Sequence, residues 1–158
     1  MDTPPLDAAA HRKLAVDLFN ATWDLLDKME RSADEDAALL LSAHTSRWHW
    51  AEVARLGGAS GPKQANVGDW QLSRVYAVLG EGRLARFFGE RSLESYERDP
   101  SMGAFFGGFS HEALARAFKA LGDAERQAQH LEAARALAAE VEDEKSRIWL
   151  EQNLEDLS

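Results

Sequence analysis

Apolar residues recur along this chain at the three-and-four spacing of a helix face, and no segment of useful length alternates as a half-buried strand does. The pattern is sharpest from Asp69 to Leu93. Leu72, Val75, Tyr76 and Leu79 stand at i, i+3, i+4 and i+7 on one face. Gly80 breaks that helix, and a second apolar pattern (Leu84, Ala85, Phe88, Leu93) begins at once. This spacing predicts an antiparallel helical hairpin joined by a tight glycine turn.

The flanking sequence predicts more of the same. A first helix starts after Pro4 and Pro5, which suit a first turn, and carries Leu14, Leu18, Ala21, Leu25 and Met29, widened by Phe19, Trp23 and Leu26. Arg31 to Glu35 is a polar break with Ser32 or Asp34 as the next cap. A second helix covers Asp36 to Leu56 with Leu39, Ala43, Trp50, Val53 and Ala54 inward. Arg47 falls inside that stripe and needs a partner, for which Asp69 at the start of the adjacent helix is the candidate. The glycine-rich stretch 57–66 reads as a flexible loop. Asp99-Pro100 ends the central hairpin, and further helices cover Ala104 to Leu121 (weakened at Gly107-Gly108), Asp123 to Val141 and Asp143 to Leu157. The last carries Leu150, Leu154 and Leu157 on one stripe among acidic residues, as a solvent-facing cap does. The expected fold is therefore all-α, a single domain of about seven helices. Residues 1–56 form a degenerate first hairpin, 67–100 the central one, 101–141 the third, and 142–158 the C-terminal capping helix.

Leu72, Tyr76, Gly80 and Ala85 stand at the spacing of the tetratricopeptide repeat, which this stretch resembles; Leu114, Phe118, Gly122, Asp123 and Ala134 echo it. The two glycines lie 42 residues apart rather than the repeat's usual 34 or so, so the connection between hairpins is the longer part. Gly89 and Ser92 replace the motif's bulky and small apolar residues, and Pro100 comes three residues late. The SRWHW and GDWQLSRVYAVLG segments together are similar to a family of short, uncharacterised bacterial tetratricopeptide-like proteins, a likeness that brings no activity with it.

Composition narrows the function classes. A net charge of -9 argues against a nucleic-acid partner, because phosphate binding needs a basic field. With no cysteine there is no disulfide, thiol nucleophile or cysteine zinc site. No apolar run approaches the roughly 20 residues that span a bilayer, and the first residues lack a signal peptide's apolar core, so a cytoplasmic location is expected.

Two groups of residues invite chemistry. The resemblance places Trp70 and Arg74, then Phe109, Glu112, Arg116 and Lys119, on the concave face that the first helix of each hairpin lines. On the helical wheel Trp70 and Arg74 lie opposite the Leu72/Tyr76/Leu79 stripe, at i, i+4. Three cations and two aromatic platforms suit an acidic or C-terminal peptide, with Arg74, Arg116 and Lys119 holding carboxylates. The same rings also suit packing between helices, with the cations solvated. The second group is His44, Arg47, His49 and Trp50 in AHTSRWHW. His44 and His49 are five apart, about 140° around a helix, and cannot share a metal ion. Packing by Trp48 and Trp50 is the competing reading. His111-Glu112 lacks the second histidine of a zinc-protease helix, and no serine-nucleophile context occurs. The sequence thus points to a non-catalytic helical scaffold that binds a protein or peptide in a concave aromatic and cationic groove, with self-association as one use of it. No metal or cofactor is expected. A small-molecule or enzymatic site around the SRWHW helix is the alternative.

Overall fold

The computed structural model describes residues 5–158. Four of the helix starts are set by side-chain caps written into the sequence. The Asp7 carboxylate accepts the Ala10 N–H at 2.8 Å and opens α1 (Ala8–Leu26). Ser32 and Glu35 form a reciprocal capping box that opens α2 (Ala33–Arg55). α3 (Pro62–Val78) starts on proline, and Asp123 and Asp143 cap α6 (Ala124–Ala139) and α7 (Glu144–Leu154). Between them lie α4 (Gly82–Arg98) and α5 (Ala104–Leu121), with short 3-10 turns at Pro100–Met102 and Glu155–Leu157. Gly80 and Gly122 follow α3 and α5 at φ 78° and 73°, the left-handed conformation that lets a helix end and the chain reverse at once.

The chain is all-α, and neighbouring helices pack as stacked hairpins: α1 on α2, α3 on α4, α5 on α6, with α7 closing the end against α5 and α6. No helix among the described residues is long and apolar enough to cross a membrane. One core cluster joins Trp70, Phe109, Leu131, Ala134, Leu150 and Leu154 across α3, α5, α6 and α7. A second joins Leu39, Ala43, Leu72 and Val75, with Tyr76 and Phe88 against it. Ser92 and Gly89, off the repeat pattern, have local reasons. Asn66 Nδ2 donates to Ser92 O and Ser110 Oγ, both at 2.8 Å, while Ser92 Oγ donates to Asn66 O, so three helices are pinned by one buried polar knot. At Gly89 an added Cβ would stand 3.0 Å from the Leu114 side chain.

Four expectations need correction. Pro4 lies outside the described residues, and α1 begins at Ala8 because Asp7 is the cap. Met29 is not on the α1 face: α1 ends at Leu26, the Ser32 capping box fixes the next start, and residues 27–32 make the reversal with Met29 fully exposed. The loop assigned to 57–66 is only 57–61, because Pro62 takes the first helical position and Gln64 reaches back to the Gly61 N–H at 3.0 Å. α5 runs unbroken through Gly107 and Gly108, whose missing side chains admit Tyr96 and Leu150.

Candidate functional site

Glu112 is the centre of the inner face. Its side chain is wholly buried, and a buried carboxylate must be partnered. Three donors converge on it: Trp70 Nε1–H at 3.0 Å, Arg74 Nη1 at 2.9 Å and Arg116 Nε at 2.7 Å. Arg116 then turns its other nitrogens to the C-terminal turn, donating to both Asp156 carboxylate oxygens (2.6 and 3.1 Å) and to the Asn153 carbonyl at 3.0 Å. Lys119 donates to the Asp156 carbonyl. Burial pulls the Arg74 pKa down, with Glu112 opposing. Burial also works against the Arg116 charge, but Asp156 and Glu112 outweigh it and raise the value. The Arg116 hydrogen bond holds the Asp156 carboxyl below its usual range.

The six groove residues named from sequence thus come together, but on partners within the chain. Arg74 and Arg116 hold Glu112, and Arg116 and Lys119 hold the Glu155–Leu157 turn. Trp70 and Phe109 are 6% and 4% exposed, so the packing alternative describes them. The cover is α7: the Trp149 ring lies 4.8 Å from Phe109 and 6.4 Å from Trp70, centroid to centroid.

What stays open is the edge of this cluster. A cleft of about 440 Å³ lies between α1, α3 and α7, walled by Phe19, Trp23, Trp70 and Trp149. Asp27, Arg74 and Asn153 supply its polar atoms. Trp23 packs on Trp70 at 5.2 Å and 39°, and Trp149 stands at 87° to Trp70, giving a buried floor between two walls. Through Phe19 the cleft adjoins a second hollow of about 210 Å³, lined by Val16, Trp50, Lys63 and Val67. Sequence reasoning placed Phe19 and Trp23 on the first helix face but gave no role to Asp27, Trp149 or Asn153. The signal was there in kind, an apolar ring in each terminal helix, but not in register, since the two helices meet only through the fold.

The SRWHW cluster divides between two faces of α2. His44 Nε2 lies 2.7 Å from the Tyr76 hydroxyl, Arg47 Nε donates to Asp69 at 2.9 Å as the sequence suggested, and Trp50 faces the smaller hollow. His49 is buried, its Nδ1 lying 2.7 Å from that of His11. Trp48 is 54% exposed rather than packed between helices. His44 and Arg47 line one open surface hollow with Trp48, Asp69 and Phe88, while His49 pairs with His11 and Trp50 faces the smaller hollow, so the four do not all share a site. Among the described residues no group of three or more His, Asp or Glu is placed to hold a metal ion.

A second imidazole pair, His111 and His130, joins α5 to α6 with Nδ1 atoms 2.9 Å apart. Burial, with His130 beside it, pushes His111 down to about 4; burial also lowers His130, His44 and His49. All four take protons more readily when unfolded, and His111 stays neutral in the folded chain until the pH nears 4. Their contribution is complete above the unfolded value near 6.5 and is lost as pH falls through the window from about 6.5 to 4. Thermal unfolding at pH 5 should therefore show about 1–2 kcal/mol less stability than at pH 7.5, a figure reduced for partial solvent exposure. His111→Gln should flatten the dependence, and an unchanged slope in that variant would exclude His111 as its source.

Comparison with known protein families, with curated proteins and with solved structures finds no match to this chain.

Proposed function

We propose that this chain is a non-catalytic, tetratricopeptide-like scaffold that binds a peptide or protein segment along α1, α3 and α7. The observation that carries the reading is the half-open cleft walled by three tryptophans on an acidic chain, extended by the adjoining hollow at Phe19. Large aromatic rings left partly open beside a buried floor are what interaction hot spots are made of. Behind them Arg74 and Arg116 are already paired with Glu112 and Asp156, so the inner face braces the cleft. Self-association would use the same rings and would show as a concentration-dependent mass.

The test is binding of the purified full chain to a peptide array, with Trp23→Ala, Trp149→Ala and, as a control, Trp48→Ala. Trp48 is exposed on a separate surface with Phe87 and Arg91. The reading expects a defined set of peptides bound by the parent and by Trp48→Ala, and weakened at least tenfold by either cleft variant, as hot-spot truncation of about 1.4 kcal/mol or more implies. It is overturned if no set is bound, or if only Trp48→Ala loses it. Calorimetric melting of each variant separates lost binding from lost folding.

A further inference from the structure

The cations expected to receive an acidic partner are the ones the fold has already used. Arg74 lies 2.9 Å from Glu112, and Arg116 is shared between Glu112 and Asp156. The four groups Arg74, Arg116, Glu112 and Asp156 together balance two positive charges against two negative ones. The remaining charged group lining the cleft is Asp27, the exposed C-cap of α1, which has no ion-pair partner among the described residues. The chain around it carries a net charge of -9. Trp70 forms the floor, with Trp23 tilted beside it at 39° and Trp149 nearly perpendicular at 87°. Indole faces are the best side-chain surfaces for a cation, and several of them around one space with a carboxylate at its rim form a cage for an alkylammonium group.

We propose that the cleft receives a cationic side chain of the bound peptide, a lysine or methylated lysine, held between the Trp23 and Trp149 rings above Trp70 with Asp27 as counter-ion. This rests on the peptide-binding reading and fixes the sign of the partner's charge: basic, not acidic. The acidic field of the chain works in the same direction, drawing a basic segment toward the cleft and losing strength with added salt.

The test uses the full chain labelled with nitrogen-15, whose indole N–H signals report the tryptophans individually. Three probes are titrated: the acetylated amide of trimethyllysine, its neutral tert-butyl carbon isostere, and the acetylated amide of glutamate. The trimethyllysine derivative is expected to shift the Trp23 and Trp149 signals and to bind about 5- to 30-fold more tightly than the isostere, the gain that cation–π contact provides. Asp27→Asn should weaken it by about threefold and reduce its salt dependence. Equal binding of the isostere overturns the proposal, leaving an apolar cleft in which the peptide reading still stands. Preference for glutamate overturns it through the opposite sign. If no probe moves the cleft signals, the cage is not a binding site, and the array result alone then decides whether the scaffold binds peptides.

Discussion

Glu112→Ala should destabilise the fold by about 3–5 kcal/mol, the largest single effect expected in the chain. The substitution removes the acceptor for the Trp70 indole, takes one partner from Arg116 and strands the Arg74 guanidinium, which burial already disfavours. Arg116 retains Asp156, but Arg74 has no other carboxylate in hydrogen-bond contact. Removing one partner of a buried ion pair costs more than the pair contributes, because an uncompensated charge remains in low dielectric. Arg74→Met with Glu112→Gln should recover much of the loss, since the stranded charge goes as well and the glutamine oxygen can still accept from Trp70. Denaturant unfolding of the single and double variants measures this. A loss under about 1 kcal/mol in Glu112→Ala would mean that water reaches the site and that the network does not brace the inner face.

Leu150→Ala is the second large effect, at about 2–5 kcal/mol. Leu150 is completely buried, and one of its methyl groups occupies the space where a Cβ on Gly108 would lie, 2.4 Å away. Gly108→Ala should therefore destabilise by about 1–3 kcal/mol, although alanine is the better helix former by about 1 kcal/mol. Because the two changes compete for one volume, their combination should cost less than the sum, by at least about 0.5 kcal/mol. Strict additivity in denaturant unfolding would show that α7 rides over α5 without interlocking. Loss of the α7 contact should also impair the cleft, since Trp149 stands one residue before Leu150.

Local chemistry made the helices legible: Ser32 and Glu35, Asp123, and Gly80 with Gly122 each act within a few residues, and the sequence shows them directly. The Arg47–Asp69 pair was legible too, because a charge inside an apolar stripe demands a partner and the adjacent helix start offered one. The fate of Trp70, Arg74 and Glu112 was not. A helical wheel separates one face from the other but cannot say what returns to cover a face, and here Glu112 comes from about 40 positions away and the covering Trp149 from farther still. The 57–66 loop misled for a related reason. Glycine and proline count there as a composition, whereas Pro62 acts by position, as the first residue of α3.

The ring arrangement in the cleft gives the molecule an optical property that its helices alone would not. Trp23 and Trp149 lie 5.2 and 6.4 Å from Trp70 at 39° and 87°, so their indole transition dipoles are close and skewed enough to mix. Such mixing produces a bisignate far-ultraviolet circular-dichroism couplet that belongs to the cleft rather than to the backbone. A bound molecule that shifts Trp149 would change its share of the couplet while the Trp23–Trp70 share and the helices stay in place, so the chain carries an intrinsic, label-free gauge of movement at its cleft.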